Sequence, residues 1–361
     1  MTKFLISLFF LTALISTPSG ADELDDKLNQ LLLQFLQQNK TPGLSVSIGH
    51  NNKILWSKGF GYADLEQRVQ VDPALTKFRV GSIAKPFTAF ALAKLLEAGK
   101  IGLDAEIHAY VPSFPQKNYP ISIRQLAGHL SGIRHYANDE MYNRSSYTGV
   151  VAGLAIFQND PLLYRPGEKW LYTSYGYNLL SAAIEKASGK NFLDYMSETV
   201  FLPLGMTQTG PDHLQQIIPH RGRYYLQSEN SYSNEPEVDN SYKWASGGFL
   251  STSDDLVRFG LAHLNNRQLK QNTINILWTP QKTTAGESTE YGIGWRVFSD
   301  NEGQKWVGHG GGSIGGTTQF WLYPEHGLVI AAISNLSDMK YAKLIPDLNK
   351  LLIQQLALNP E

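Results

Sequence analysis

The segment from Ser82 to Ala98 predicts a helix that must lie in the middle of the fold. It begins with Ser82-Ile83-Ala84-Lys85 and then carries apolar side chains on nearly every side, namely Phe87, Phe90, Ala91, Ala93, Leu95 and Leu96. A helix of this kind has no face for water and must be surrounded by other elements. Pro86 is tolerated in the first turn of a helix, and Gly81 permits a tight turn from the extended segment before it.

Ser82 and Lys85 are three residues apart, so both side chains lie on one face of a helical turn. The lysine amine can then reach the serine hydroxyl, which makes a nucleophile with its own base and needs no metal or cofactor. A second pair with this spacing, Ser337 and Lys340, follows Ser334-Asn335-Leu336. Its context predicts that Ser337 is the N-cap of a C-terminal helix.

Strand patterns lie at both ends of the chain, and helical patterns lie between them. The predicted strands are Gly43–Ile48, Ile54–Phe60, Tyr291–Phe298, Lys305–His309, Thr317–Leu322 and Leu328–Ser334. The predicted helices are Asp25–Gln38, Ile123–His129, Val151–Phe157, Gly176–Ser188, Phe192–Val200, Ser253–Leu264 and Tyr341–Leu356, the last kinked at Pro346.

This order predicts an α+β fold, in which N- and C-terminal segments build one antiparallel sheet flanked by helices. Residues 22–100 and 290–361 form the predicted sheet domain, and residues 101–289 form an inserted, mainly helical domain. The active site is expected in the cleft between the two parts.

Residues 1–21 have the pattern of an export signal peptide. A short basic start precedes the apolar run Phe4–Ile15, and Ser19-Gly20-Ala21 supplies small residues for cleavage. The prediction is a periplasmic or secreted protein with no stable membrane span after cleavage; an uncleaved anchor is the alternative.

The amino-acid composition of the chain excludes several kinds of functional site. The chain has no cysteine, which excludes disulfides, thiol nucleophiles and cysteine metal sites. The formal net charge of −1 gives no electrostatic argument for binding nucleic acid or an anionic membrane. We therefore expect no cofactor, no metal and no nucleic-acid partner.

Tyr172-Thr173-Ser174 is a second candidate element of the site. Tyr172 can shuttle a proton between nucleophile and leaving group if nearby cations lower its pKa. Ser174 can donate a hydrogen bond to a substrate. The alternative is that Tyr172, Tyr175 and Tyr177 are packing residues.

His309-Gly310-Gly311-Gly312 is a third candidate element. Glycines let the backbone approach a substrate closely, and the Gly312 amide can pair with the Ser82 amide as an oxyanion hole. His309 can polarise the substrate or tune the pair formed by Lys85 and Tyr172. The alternative is a flexible glycine turn carrying a surface histidine.

Three further features have simpler interpretations. Gly311-Gly312-Ser313-Ile314-Gly315 matches the G-x-S-x-G nucleophile elbow, but the elbow needs a helix after it and the next residues are β-like. The closest pair of histidines, His129 and His135, has no acidic partner in a zinc-site pattern, so structural or surface roles are expected. Lys243 is predicted to be solvated; the alternative is recognition of an acidic group at the cleft rim.

Ser82-x-x-Lys85, Tyr172-x-Ser174 and His309-Gly310-Gly311 together resemble the three motifs of the serine β-lactamase and penicillin-binding superfamily. The order fits its class C-like branch (peptidase S12 type), which includes D-alanyl-D-alanine carboxypeptidases, esterases and D-aminopeptidases. The resemblance covers nearly the whole chain after the signal segment. It implies a β-lactamase/transpeptidase-like fold and a serine hydrolase that forms an acyl-enzyme on an amide or ester bond.

Two longer segments, residues 171–180 and 238–252, resemble the mitochondrial serine β-lactamase-like proteases of animals. Those relatives form filaments, so the resemblance implies a homo-oligomer or filament. Ser174 and His309 replace the asparagine and lysine of the branch's motifs, which favours a peptidase or esterase over a dedicated β-lactamase. The prediction is a D-Ala carboxypeptidase-like or endopeptidase-like enzyme that acts on a peptide or small molecule. The alternatives are a class C-type β-lactamase or esterase, and a non-catalytic penicillin-recognising or filament-forming protein.

Overall fold

The computed structural model describes residues 20–229, 231–299, 303–341 and 343–356. Residues 1–19 of the predicted signal peptide lie outside these ranges. The helices are α1 (Gly20–Asn39), α2 (Ala84–Glu97), α3 (Ile123–Ala127), α4 (Val150–Gly153), α5 (Ser174–Ser188), α6 (Phe192–Met196), α7 (Trp244–Gly247), α8 (Ser253–Leu264), α9 (Gln271–Leu277) and α10 (Leu344–Gln355). The strands are β1 (Gly43–His50), β2 (Lys53–Asp64), β3 (Val69–Gln70), β4 (Phe78–Arg79), β5 (Gly210–Pro211), β6 (Tyr225–Ser228), β7 (Ser231–Asn234), β8 (Phe249–Ser251), β9 (Arg296–Ser299), β10 (Lys305–Ser313), β11 (Gly316–Tyr323) and β12 (Leu328–Ser334).

Both ends of the chain contribute to one antiparallel sheet. Among the described residues its order is β3-β2-β1-β12-β11-β10-β9. The N-terminal hairpin joins the C-terminal strands where β1 pairs with β12, from Leu44 opposite Ser334 to His50 opposite Leu328. This confirms the predicted antiparallel sheet, whose strands come from the two ends of the chain and are separated in sequence by helices.

Helices cover both faces of this sheet. All seven residues of β12 are buried, because alternate side chains enter two different cores. Leu328, Ile330 and Ala332 pack with α1 and α10, whereas Val329, Ala331 and Ile333 pack in the larger core that contains α2 and α8. A strand covered on both faces gives a continuous apolar run in the sequence, as observed here.

α2 runs through the larger core, as its sequence predicts. The Phe87 ring meets the rings of Phe201, Phe249 and Phe259 at centroid distances of 5.5, 6.2 and 4.8 Å. Aromatic contacts of this geometry add to the hydrophobic stabilisation of a core. The central position of α2 fixes the turn at its N-terminus, which carries Ser82.

Three predicted elements differ from the structure. The predicted strand Tyr291–Phe298 is a strand only from Arg296 to Ser299, because Gly294 takes a left-handed φ of +83° and breaks the extended chain. β10 continues through the glycines to Ser313 and does not end at His309. The closing helix begins at Leu344, so Pro346 lies in its first turn, where no kink is required.

Ser337 is not a helix N-cap, which corrects the prediction. Its hydroxyl accepts a hydrogen bond from the Gly315 amide at 2.7 Å and donates one to Glu235. The helix that follows begins only at Leu344. Ser337 therefore holds the β10–β11 turn against a neighbouring loop.

Candidate active site

Ser82 lies on a tight turn between β4 and α2. The turn is a 3₁₀ segment, Gly81–Ile83, that leads directly into the α-helix. Gly81 has a φ of +53°, and a Cβ on it would come within 2.6 Å of the Gly312 carbonyl oxygen. Only glycine fits both the backbone conformation and this close approach. The turn that carries Ser82 therefore packs directly against β10.

Lys85 is completely buried and points at Ser82. Its Nζ is 3.1 Å from Ser82 Oγ, 3.2 Å from Ser174 Oγ and 2.8 Å from the Ser246 carbonyl oxygen. Burial lowers the pKa of the Lys85 amine well below its usual value, and the charges of Lys243 and Arg296 lower it further. The predicted contact between amine and hydroxyl is confirmed, and the amine is biased towards its neutral, basic form.

Tyr172 completes the environment of the serine. Its phenol donates a hydrogen bond of 2.8 Å to Ser82 Oγ, and its ring centroid lies 4.8 Å from Lys85 Nζ. Burial raises the pKa of Tyr172, and the hydrogen bond to Ser82 offsets only part of that rise. The condition that nearby cations lower this pKa is not met, because desolvation of the phenolate dominates.

The hydrogen bonds of these three side chains form one consistent network. A neutral Lys85 amine has two N–H donors and one lone pair. Its donors match Ser174 Oγ and the Ser246 carbonyl, and its lone pair faces the Ser82 hydroxyl. The Ser82 oxygen accepts from Tyr172, which leaves the proton of Ser82 free to point to a neutral Lys85. Every polar group is satisfied with lysine neutral and tyrosine protonated.

Ser174 is held at the start of α5 by its backbone. The Ser174 amide donates to His135 Nδ1 at 3.1 Å, and the Thr173 amide donates to His129 Nδ1 at 3.2 Å. Burial lowers the pKa of His135 to about 4 and that of His129 well below its usual value. Both rings stay neutral acceptors at physiological pH. The structural roles expected for these histidines are confirmed.

The glycines of β10 form the opposite wall. In the described residues β9 pairs with β10 only over Lys305–Gly308, so the outer edge of Gly310–Gly312 has no strand partner there. A Cβ on Gly312 would meet no atom within 4 Å, whereas one on Gly311 would come within 2.0 Å of the Val80 carbonyl oxygen. Gly312 therefore faces open space, and Gly311 allows the turn that carries Ser82 to pack against the strand.

The nucleophile-elbow interpretation of this segment fails on geometry. Ser313 and Gly316 are paired across a two-residue hairpin, and β11 follows immediately. No helix follows Ser313, as the elbow would require.

His309 is buried on β10 near Tyr172. It is 1% exposed; its Nε2 accepts from the Tyr291 hydroxyl at 3.0 Å and its Nδ1 donates to the Gly310 carbonyl oxygen at 2.6 Å. Burial lowers its pKa well below the usual value, and the Lys85 charge adds to this effect. The ring centroids of His309 and Tyr172 are 6.0 Å apart. Both nitrogens are engaged by hydrogen bonds, and none of the hydrogen bonds found among the described residues joins this ring to Ser82.

Sequence reasoning missed Ser246 and Tyr291 and misplaced Lys243. The Ser246 carbonyl accepts the shortest hydrogen bond of Lys85. In the sequence, only the location of Ser246 in the glycine-rich segment 239–248 points to a place in the site. Lys243 is 3% exposed, so the prediction of a solvated lysine is wrong. Its side chain is covered by Tyr242 and by Tyr136 from a distant loop, and no local pattern reveals that packing.

Two absences hold for the described ranges. None of their helices is long and apolar enough to cross a membrane. They also contain no group of three histidine or acidic side chains placed to hold a metal ion.

A serine with an adjacent lysine and tyrosine, facing an unpaired strand edge, defines a serine hydrolase site. The sequence model of the family described as Beta-lactamase matches residues 28–352. The chain therefore belongs to the beta-lactamase family of serine hydrolases, and its fold is the β-lactamase/transpeptidase-like fold.

Individual relatives agree with this assignment. The human mitochondrial serine beta-lactamase-like protein LACTB is 31% identical over 417 residues, covering 86% of this chain and 76% of the relative. Penicillin-binding protein 4* of Bacillus subtilis is 28% identical over 336 residues, covering 88% and 73%. The octameric penicillin-binding protein homologue from Pyrococcus abyssi superimposes with a TM-score of 0.77 at 26% identity, covering 93% and 78%.

Proposed function

We propose that the protein hydrolyses an amide or ester bond through a covalent acyl-enzyme on Ser82. One observation carries the proposal: Ser82 Oγ lies between the Lys85 amine at 3.1 Å and the Tyr172 hydroxyl at 2.8 Å. A serine hydroxyl is a weak nucleophile until a base removes its proton, and this arrangement supplies one at contact distance.

The directions of their pKa shifts indicate which role Lys85 and Tyr172 each have in proton transfer. Lys85 has a lowered pKa and is the general base that takes the Ser82 proton. Tyr172 has a raised pKa, stays protonated and is the donor to the leaving group. As Ser82 attacks the carbonyl, its proton passes to Lys85. Tyr172 then protonates the departing nitrogen or oxygen, and Lys85 returns a proton to the tyrosinate.

The oxyanion of the tetrahedral intermediate needs backbone donors. The Ser82 amide at the start of the 3₁₀ turn and the Gly312 amide on β10 are the proposed pair, and Gly310 and Gly311 extend the substrate-binding edge. One such donor typically contributes about 3 kcal/mol of transition-state stabilisation. Water then attacks the ester on Ser82, with Lys85 again as base, and releases the acid.

A peptide substrate is the best-supported class. Ser174 is engaged by Lys85, and His309 is a buried residue of β10. The arrangement lacks the asparagine and lysine that the branch uses to hold β-lactam drugs. We propose a D-Ala carboxypeptidase-like or endopeptidase-like enzyme that is exported to the periplasm or medium. The octameric relative supports a further proposal, a homo-oligomer.

Adduct mapping tests the nucleophile. The purified protein is treated with a fluorophosphonate and digested, and the modified peptide is identified by mass spectrometry. We expect the adduct on Ser82, and Ser337 of the second S-x-x-K sequence is an internal control. An adduct on any other serine would refute the mechanism. Turnover of D-Ala-D-Ala peptides, short esters and nitrocefin then separates peptidase, esterase and β-lactamase.

Tyr172→Phe tests the proton donor. The change removes only the hydroxyl that contacts Ser82 Oγ, and general acid catalysis contributes about 10²–10⁴-fold. We expect kcat/KM for an amide to fall about 10²-fold or more. An activated ester with a good leaving group should be affected much less, because its leaving group needs no proton. Stopped-flow rates on a matched ester and amide give this ratio; equal losses on both would contradict the assignment.

A further inference from the structure

Lys243 is a buried cation with no anionic partner. It is 3% exposed and lies at the end of the 3₁₀ turn Ser241–Lys243, directly before α7. Within the described residues its Nζ makes no hydrogen bond or ion pair. Its neighbours there are the rings of Tyr242 and Tyr136, with centroids 5.2 and 5.8 Å away. Burying an unpaired charge is costly, so such a residue needs an explanation.

Its position connects it to the nucleophile. Among charged groups, Lys243 has the largest effect on Lys85, and Ser246, one turn further along the chain, binds Lys85 through its carbonyl. Tyr136, which lies beside Lys243, also stacks on His135, whose Nδ1 accepts a hydrogen bond from the Ser174 amide. Lys243 therefore lies in the wall of the same site.

The carboxylate near Lys243 is already occupied. Asp212 is 1% exposed and accepts from Arg79 at 2.7 Å, Asn240 at 2.9 Å and Arg221 at 3.2 Å. Arg79 disfavours the charged form of Lys243 and Asp212 only partly compensates. Arg296 is a further cation, close enough to Lys85 to lower the pKa of its amine. The site thus has a local excess of positive charge.

We propose that Lys243 is the receptor for a carboxylate of the substrate, which enters the site as the missing anionic partner. The inference rests on the proposed acyl-enzyme function of Ser82 and adds to it a specificity-determining residue, Lys243, which selects substrates with a carboxylate near the scissile bond. The two tyrosine rings flank the ammonium, and the low exposure of the residue strengthens a charge-assisted hydrogen bond.

The proposal has a pH signature with a definite sign. Burial lowers the pKa of Lys243 to about 7. A carboxylate on the substrate pairs only with the protonated amine, and a carboxylate stays ionised far below this range. Recognition should therefore be strong below about pH 6.5 and weaken as the pH rises. A bound carboxylate favours the charged amine and raises its pKa, so binding takes up a proton near neutral pH.

Two boronic acids test the inference without a known substrate. Meta-carboxyphenylboronic acid and meta-carbamoylphenylboronic acid differ in charge and little in size. With either compound the Ser82 oxygen adds to boron, its proton passes to Lys85, and boron becomes a tetrahedral anion. Because both share this step, the ratio of their inhibition constants against an activated ester isolates the contribution of the carboxylate.

We expect the wild type to prefer the carboxylate about tenfold or more at pH 6 and by a clearly smaller factor at pH 9. Lys243→Met should bring the ratio close to one, and Lys243→Arg should restore part of it. Lys58→Met, an exposed lysine on β2, is the matched control and should keep the wild-type ratio.

The outcomes separate this inference from the proposed function. If both boronates bind the wild type equally at pH 6, or if Lys243→Met keeps the preference, the receptor role is wrong while the acyl-enzyme mechanism stands. If neither boronate binds, or if Ser82→Ala binds both as well as the wild type, the proposed function fails and the receptor role fails with it.

Discussion

Replacing Lys85 with methionine is expected to lower kcat/KM for an activated ester about 10³-fold or more, close to the level of Ser82→Ala. The buried amine is the only base placed at hydrogen-bond distance from Ser82 Oγ in the described residues, since Tyr172 donates to that oxygen. Nucleophile and base act as a unit, so the loss of either removes most of the catalysis. Steady-state rates for the two variants and the wild type give the comparison.

Two controls keep this result interpretable. Methionine fills nearly the same buried volume but leaves Ser174 Oγ and the Ser246 carbonyl without a donor, which costs about 1–3 kcal/mol of stability. Thermal unfolding must show that the variant still folds. Lys340→Met changes the second S-x-x-K sequence and should leave the rate unchanged. A Lys85→Met enzyme within tenfold of the wild type would contradict the assignment of the base.

The wild-type pH profile provides an independent check. Below its pKa the Lys85 amine is protonated and cannot accept the Ser82 proton, so kcat/KM should fall as the pH drops through that value. Because burial lowers this pKa well below that of an exposed lysine, the active form should predominate at a pH where ordinary lysines are charged. Residual activity of Lys85→Met should lack this titration.

Local patterns predicted the parts of the site that depend on neighbouring residues in the chain. The contact between Ser82 and Lys85 follows from helical spacing, and the need for glycine at position 81 follows from a turn in front of an apolar helix. The central sheet follows from strand patterns at both ends of the chain. In each case spacing or periodicity within a short segment determines the structure.

The features that the sequence did not reveal depend on distant packing. Tyr172 has a raised pKa because the folded chain buries its ring, although cations lie nearby. The polar segment around Lys243 predicts a solvated side chain, yet Tyr136 from a remote loop covers it. Both ring nitrogens of His309 are engaged within the fold, which its glycine-rich motif does not indicate. Burial of a polar side chain is a property of the tertiary fold and has no local sequence signal.

Replacing Gly311 with alanine is expected to disrupt the site without touching a catalytic group. The new Cβ would come within 2.0 Å of the Val80 carbonyl oxygen and 3.3 Å of Ile83 Cγ1. Both contacts belong to the segment that carries Ser82, so the turn must move away from β10. Overpacking of this kind typically costs about 1–3 kcal/mol, and a 1 Å misplacement of a reacting group can cost about 10²-fold in rate.

Gly312→Ala is the matched control, because its Cβ would meet no atom within 4 Å. We expect urea unfolding to show Gly312→Ala within about 0.5 kcal/mol of the wild type and Gly311→Ala clearly less stable. The rate of fluorophosphonate labelling, which needs only the activated serine, should fall about 10²-fold in Gly311→Ala. If Gly311→Ala labels as fast as the wild type, the close packing of the Val80–Ile83 turn against β10 does not set the position of the nucleophile.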